Sequence, residues 1–155
     1  MNPALRRLLL TTLTAGPVSR VWAPLMRGRG TIFMLHRFTD PDMGSTGHDP
    51  ALLRAALAHL RSEHYDLISL MEMFRRLRDA APALDRAVAF TIDDGYLEQG
   101  TVGGKIFADF DCPVTTFVTT GFLDGALWFW WDRIEYLFEH TARPTLDVEL
   151  ASQTL

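Results

Sequence analysis

A chain of 155 residues, 48% hydrophobic and 22% charged, has the length and apolar content of one core-forming domain, which excludes a disordered chain. The net charge of −4 gives no sign of a general nucleic-acid binder. A single cysteine, Cys112, excludes an intrachain disulfide and a cysteine-built zinc site.

The charge is unevenly divided. Residues 1–30 carry +5 from Arg6, Arg7, Arg20, Arg27 and Arg29 with no acid, against −9 in the remainder. This marks a basic N-terminal arm, followed by a body over residues 31–155. The run LRRLLLTTL at residues 5–13 is far shorter than the ~20 apolar residues a membrane-spanning helix needs. Three readings stand open for the arm: an amphipathic helix on a membrane surface, a segment packed on the body, or a cleaved signal peptide. The first makes peripheral membrane contact the expectation and favours the bacterial cytoplasm or a membrane-associated location; the third implies secretion.

After the RGRG patch at residues 27–30, TIFMLH at 31–36 has the apolar run of a strand. Residues 37–47, rich in Asp, Gly, Pro and Ser, predict a loop. Asp49-Pro50 reads as a helix start, a side-chain cap followed by proline at the first helical position, with Leu53, Ala56, Leu57 and Leu60 on one face. A short extended piece at 65–68 comes next. Ser69 and Glu72 then have capping-box spacing, and Leu70, Met73, Phe74 and Leu77 form the apolar stripe of a second helix.

AVAFTI at 87–92 is a nearly continuous apolar run, as expected of a strand covered on both faces. A helix weakened by Gly100, Gly103 and Gly104 is predicted over 97–110. VTTFVT at 114–119 is β-branched and aromatic and predicts a strand; Cys112 ahead of it reads as a buried, unreactive thiol. Residues 128–140 are too apolar for an exposed helix. Strands and helices thus alternate, which predicts an α/β fold with mainly parallel strands.

In such folds functional groups collect at the carboxyl ends of strands. His36 follows one strand, and Asp93 and Asp94 follow another, with Gly95 free to turn the backbone away. Two adjacent carboxylates at the end of an apolar strand are costly unless something offsets their repulsion and desolvation. A divalent metal does this, leaving one acid to bind it and the other to move a proton.

TIDDGY at 91–96 resembles the first motif, T-F-D-D-G, of the polysaccharide deacetylase (NodB-homology, carbohydrate esterase 4) family. LHRF at 35–38, YDLISL at 65–70, PVTTFVTTGFLDG at 113–125 and WWDR at 130–133 are similar, in order, to further stretches of that family, so the resemblance covers about residues 31–136. It implies the N-terminal portion of a distorted (β/α) barrel and the metal-dependent removal of acetyl groups from an N-acetylated polysaccharide or oligosaccharide. By position Asp93 then takes the place of the general base, Asp94 that of a metal ligand, zinc being the expected ion, and His36 that of the general acid. Ile92 stands where the family has Phe, a tolerable change of core volume. The family's H-x-x-x-H pair of metal ligands does not occur; His59 and His64 precede Asp93 and are read as solvated or partly packed, while His48 lies in a loop and His140 ends a helix, where a cation suits the dipole. The alternative expectation is therefore a truncated, inactive deacetylase-like fragment with an open sheet edge and exposed apolar surface. A receiver-type acidic pair is excluded, because Lys105, the only lysine, precedes the next strand rather than following it.

Overall fold

The computed structural model describes residues 28–79 and 84–145, together with residues 2, 4, 5, 12 and 24. The expectations for the N-terminal arm, including its membrane contact, fall largely outside the described residues. The chain divides into two compact units, Met1–Val118 and Thr119–Leu155.

The first unit is built on a four-stranded sheet. Its strands are β1 (Thr31–Leu35), β2 (Asp66–Leu67), β3 (Ala87–Asp94) and β4 (Val114–Val118). All pairings are parallel, and β3 is the hub. β1 lies along residues 88–92 of β3, from Thr31 opposite Val88 to Leu35 opposite Ile92. The other edge of β3 is shared: β2 meets it at Ala87 and Val88, and β4 from Phe90 to Asp94. Among the described residues the sheet does not close, as expected of one part of a (β/α) barrel.

The position of β3 follows from its sequence. Val88, Phe90 and Ile92 point to one face and join the main core of Phe38, Leu53, Leu57, Leu67, Ile106 and Phe107. Ala87 and Ala89 point to the other face and pack with Ile68, Met73 and Leu84. Large residues thus fill one side while alanines let a helix come close on the other. Among the described residues β1 and β4 each pair only with β3, and Ile32, Met34, Phe117 and Val118 remain exposed. Apolar run length identified these strands, but not how far each is covered.

The helices between strands start as the sequence predicts. Helix α1 (Pro50–Ser62) is capped by Asp49, whose side chain accepts from Ala51 N at 2.7 Å, and buries Leu53 and Leu57. Its exit is tied down by Arg61, which donates to the carbonyls of Phe110 and Asp111 at 2.8 and 2.9 Å. Helix α2 (Leu70–Arg78) is capped by Ser69, which accepts from Glu72 N at 3.1 Å. Glu72 turns its carboxylate to Arg76 at 2.9 Å, and Arg76 reaches on to Asp66 in β2 at 2.6 Å.

Two expectations need correction here. The predicted α2 stripe is buried only at Met73 and half-buried at Leu70; Phe74 and Leu77 are more than half exposed. Periodicity shows which residues share a face, not whether anything covers it. The predicted helix over 97–110 is divided into a π-helical segment, Gln99–Gly104, and α3 (Lys105–Asp109). Glycine leaves the backbone free to depart from α geometry, and Gly103 has a further role: a Cβ there would lie 2.6 Å from the ring of Phe38, which is fully buried.

The second unit holds a short helix that sequence periodicity did not reveal, α4 (Thr120–Leu123), and α5 (Trp130–His140). Phe129 is buried between Phe122 and Trp131, with ring centroids 4.6 Å away on each side. The expectation that α5 is too apolar to be exposed fails: no residue of α5 is buried, and Trp130, Leu137 and Phe138 are each more than 60% exposed.

Candidate active site at the strand ends

β1 and β3 finish side by side. The residue after the last paired position of β1 is His36, and the residue after its partner Ile92 is Asp93. The parallel register therefore carries both side chains to one end of the sheet. His36 Nε2 lies 4.0 Å from Asp93 Oδ2, with the His36 side chain half exposed and that of Asp93 at 28%. One carboxylate and one imidazole facing solvent at the carboxyl end of a parallel sheet can share a bound molecule.

Asp94 and Gly95 then turn the chain out of the sheet with φ of 87° and 99°. Asp94 is the notable member, because a residue with a Cβ rarely adopts this region, and such positions concentrate at functional sites. Asp93 and Asp94 are both still paired with β4, opposite Phe117 and Val118, and the backbone changes hand at Asp94, the last paired residue.

The loop after β1 is held from below. Phe38 is fully buried, and its backbone pairs in parallel with His48. His48 N donates to Arg37 O at 2.8 Å and Thr39 N to His48 O at 3.0 Å. Gly47 makes this closeness possible, since a Cβ there would stand 2.3 Å from the Arg37 backbone. The predicted loop over 37–47 is thus an ordered platform beneath His36.

Three residues without a role in the sequence reading prove central. Arg37 pairs through Nε with Glu98, whose side chain is 2% exposed, and its guanidinium sits 3.8 Å above the ring of Tyr96. Gln99, adjacent and buried, uses its side-chain amide on the backbone at both strand ends. A sequence signal existed: Glu-Gln directly after a strand-end turn places two polar residues where the chain must re-enter the core.

The other candidate ligands stand apart. His59 and His64 lie exposed at the end of α1, and His48 and His140 are exposed as well. Among the described residues, no three His, Cys, Asp or Glu side chains come together to hold a metal ion. Those present therefore do not fit a complete metal centre, and Asp94 offers one carboxylate toward one. No helix among the described residues is long and apolar enough to cross a membrane.

Cys112 is 6% exposed just ahead of β4, as expected, and burial pushes its thiol up to about 11, with the charge of Arg61 opposing. Because folding raises this pKa from 9.0, stability is undiminished below pH 9.0 and falls as the pH rises toward about 11. Iodoacetamide at pH 8 is expected to label Cys112 only as the chain unfolds, so labelling should follow the denaturation curve. Rapid labelling of the native chain would show the thiol to be accessible and ionised.

Comparison with known proteins places this geometry. No protein-family model matches the chain, and no curated protein sequence matches it. Among solved structures it is similar to the deacetylase PplD of Streptococcus pyogenes, determined in complex with acetate. The two are 21% identical with a TM-score of 0.53, over 72% of this chain and 52% of that one. Over the matched part the chain shares the fold of that protein. The deacetylase domain of BpsB from Bordetella bronchiseptica also matches, at 16% identity and a TM-score of 0.45, over 72% of this chain and 50% of that domain. The chain spans about half the length of both solved structures.

Proposed function

We propose that this chain carries part of the active site of an enzyme that hydrolyses N-acetyl groups from an N-acetylated polysaccharide with the help of a divalent metal. The observation that carries the reading is the meeting of Asp93 and His36 at 4.0 Å where two parallel strands end. Asp93 acts as general base and takes a proton from water, whose oxygen attacks the acetamide carbonyl carbon. His36, protonated, gives its proton to the nitrogen as the carbon–nitrogen bond breaks, leaving acetate and a free amine on the sugar. Each transfer is worth ~10²- to 10⁴-fold in rate when the group is well placed. The open rim of the sheet suits a polymer, because a substrate longer than one sugar needs a groove rather than a closed cavity.

Asp94 is assigned as one ligand of the metal, zinc by the family resemblance. Structural and catalytic zinc sites take about three or four protein ligands, and one carboxylate does not make such a set. A metal held there would supply Lewis acidity, with Asp94 as one of its ligands.

Chelation tests the metal requirement. Acetate release from an N-acetylglucosamine oligomer by the whole protein should fall to background with EDTA and return when zinc is restored. Asp94→Asn should need more zinc for half-maximal activity than the parent. Full activity in EDTA, after dialysis to remove bound metal, would refute the metal part of the reading while leaving Asp93 and His36 in place.

A further inference from the structure

The ladder between β1 and β3 stops at Leu35 and Ile92, and the next pair in register is His36 and Asp93. Both residues of that pair turn their carbonyl oxygens to one side chain. Gln99 Nε2 donates to His36 O at 2.7 Å and also to Asp93 O, while Gln99 Oε1 accepts from Gly95 N at 3.0 Å. A primary amide has two N–H donors and an acceptor oxygen, so one side chain satisfies three backbone groups where two chain segments leave the sheet. Gln99 is 3% exposed, so water cannot replace these bonds at low cost. The neighbouring Glu98, 2% exposed, grips the Arg37 guanidinium and so fixes the residue after His36 as well.

We propose that Gln99 is a positioning residue that holds His36 and Asp93 opposite one another, with the Glu98–Arg37 pair as the second arm of the same bracket. The proposal rests on the reading that Asp93 and His36 share one reaction site. The left-handed turn at Asp94 and Gly95 makes the bracket possible, because it folds the chain back so that Gln99 returns beneath the strand ends. Without it, His36 would hang from a strand that, among the described residues, pairs only with β3. A misplacement on the order of 1 Å between catalytic groups can cost about 100-fold in rate.

Gln99→Met keeps the length and bulk of the side chain and removes all three hydrogen bonds. Amide exchange provides the first readout: Gly95 should exchange at least ~10-fold faster while the amides of the β1–β3 ladder keep their protection. The His36 ring resonances provide the second, which needs no activity. Asp93→Asn should shift them clearly in the parent and by less than about half as much in Gln99→Met, because coupling between two groups falls as they separate. Kinetics of the whole protein provide the third: kcat should fall ~10- to 100-fold with KM nearly unchanged, and the loss should shrink to a few-fold in a His36→Ala background.

Gly95 exchange at the parental rate, or an undiminished His36 response to Asp93→Asn, would overturn the bracket. An equal kcat loss with and without His36 would also overturn it, since Gln99 would then act on the fold at large. If the ladder amides of Gln99→Met lose protection too, Gln99→Asn is judged by the same readouts, since it keeps the amide on a shorter arm. Should the deacetylase reading itself fail, the oligomer would yield no acetate with any variant, and Gly95 exchange with the ring response would still decide the bracket.

Discussion

Asp93→Asn is expected to lower acetate release from an N-acetylglucosamine oligomer by about 100-fold or more, the loss typical of a removed general base. Asn keeps the volume of Asp and can still accept a hydrogen bond, but it cannot take a proton from water. The main-chain role of Asp93 is untouched, because the Gln99 amide holds its carbonyl oxygen and the pairing with β4 runs through its backbone. The side chain is 28% exposed, so losing its charge should leave stability within about 0.5 kcal/mol of the parent. The loss should appear in kcat. A variant equally slow but unfolded would be recognised by its amide exchange.

Phe107→Ala is expected to be the most damaging core substitution, at about 3–5 kcal/mol. Phe107 is fully buried and packs on Phe90, with ring centroids 5.1 Å apart. Its backbone oxygen accepts from Phe110 N and Cys112 N, so the same residue closes the turn leading into β4. Domains of this size are stable by about 5–15 kcal/mol, so the loss would be a large share of the total. Urea unfolding followed by circular dichroism measures it. A cost below about 1 kcal/mol would mean the core can collapse into the space and that Phe107 does not anchor it. Leu52→Ala on the exposed side of α1 is the control, with little effect expected, since Leu52 is 69% exposed.

The strands were legible in the sequence because burial and β-branching write themselves as short apolar runs. AVAFTI is the clearest case, and β3 is buried on both faces as such a run predicts. Caps were legible for a local reason: Asp49 and Ser69 act on backbone groups two or three residues away. The alternation of strand and helix gave parallel pairing, and parallel pairing put His36 and Asp93 at one end of the sheet.

What stayed hidden depends on contacts distant in sequence. The amide of Gln99 reaches His36 across 63 positions, and Glu98 reaches Arg37 across 61. No spacing rule connects them, and only the reversal of backbone hand at Asp94 brings them together. The π-helical segment was hidden because glycines weaken a helix without saying which turn replaces it, and the closeness of Gly103 to Phe38 is a contact distant in sequence. The exposure of α2 and α5 was hidden for the opposite reason. An apolar stripe states a preference, and only neighbouring chain can satisfy it.

The central claim is that Asp93 and His36, joined at the ends of two parallel strands, form one hydrolytic site for N-acetylated sugars. The direct measurement is parallel detection of acetate and free amine from an N-acetylglucosamine oligomer, using the zinc-loaded whole protein, its Asp93→Asn variant and its His36→Ala variant. The expected result is equal amounts of acetate and amine from the parent, with both variants slowed at least about 100-fold and still folded. Parental turnover in Asp93→Asn would contradict the claim, and would reduce the acidic pair to a structural turn.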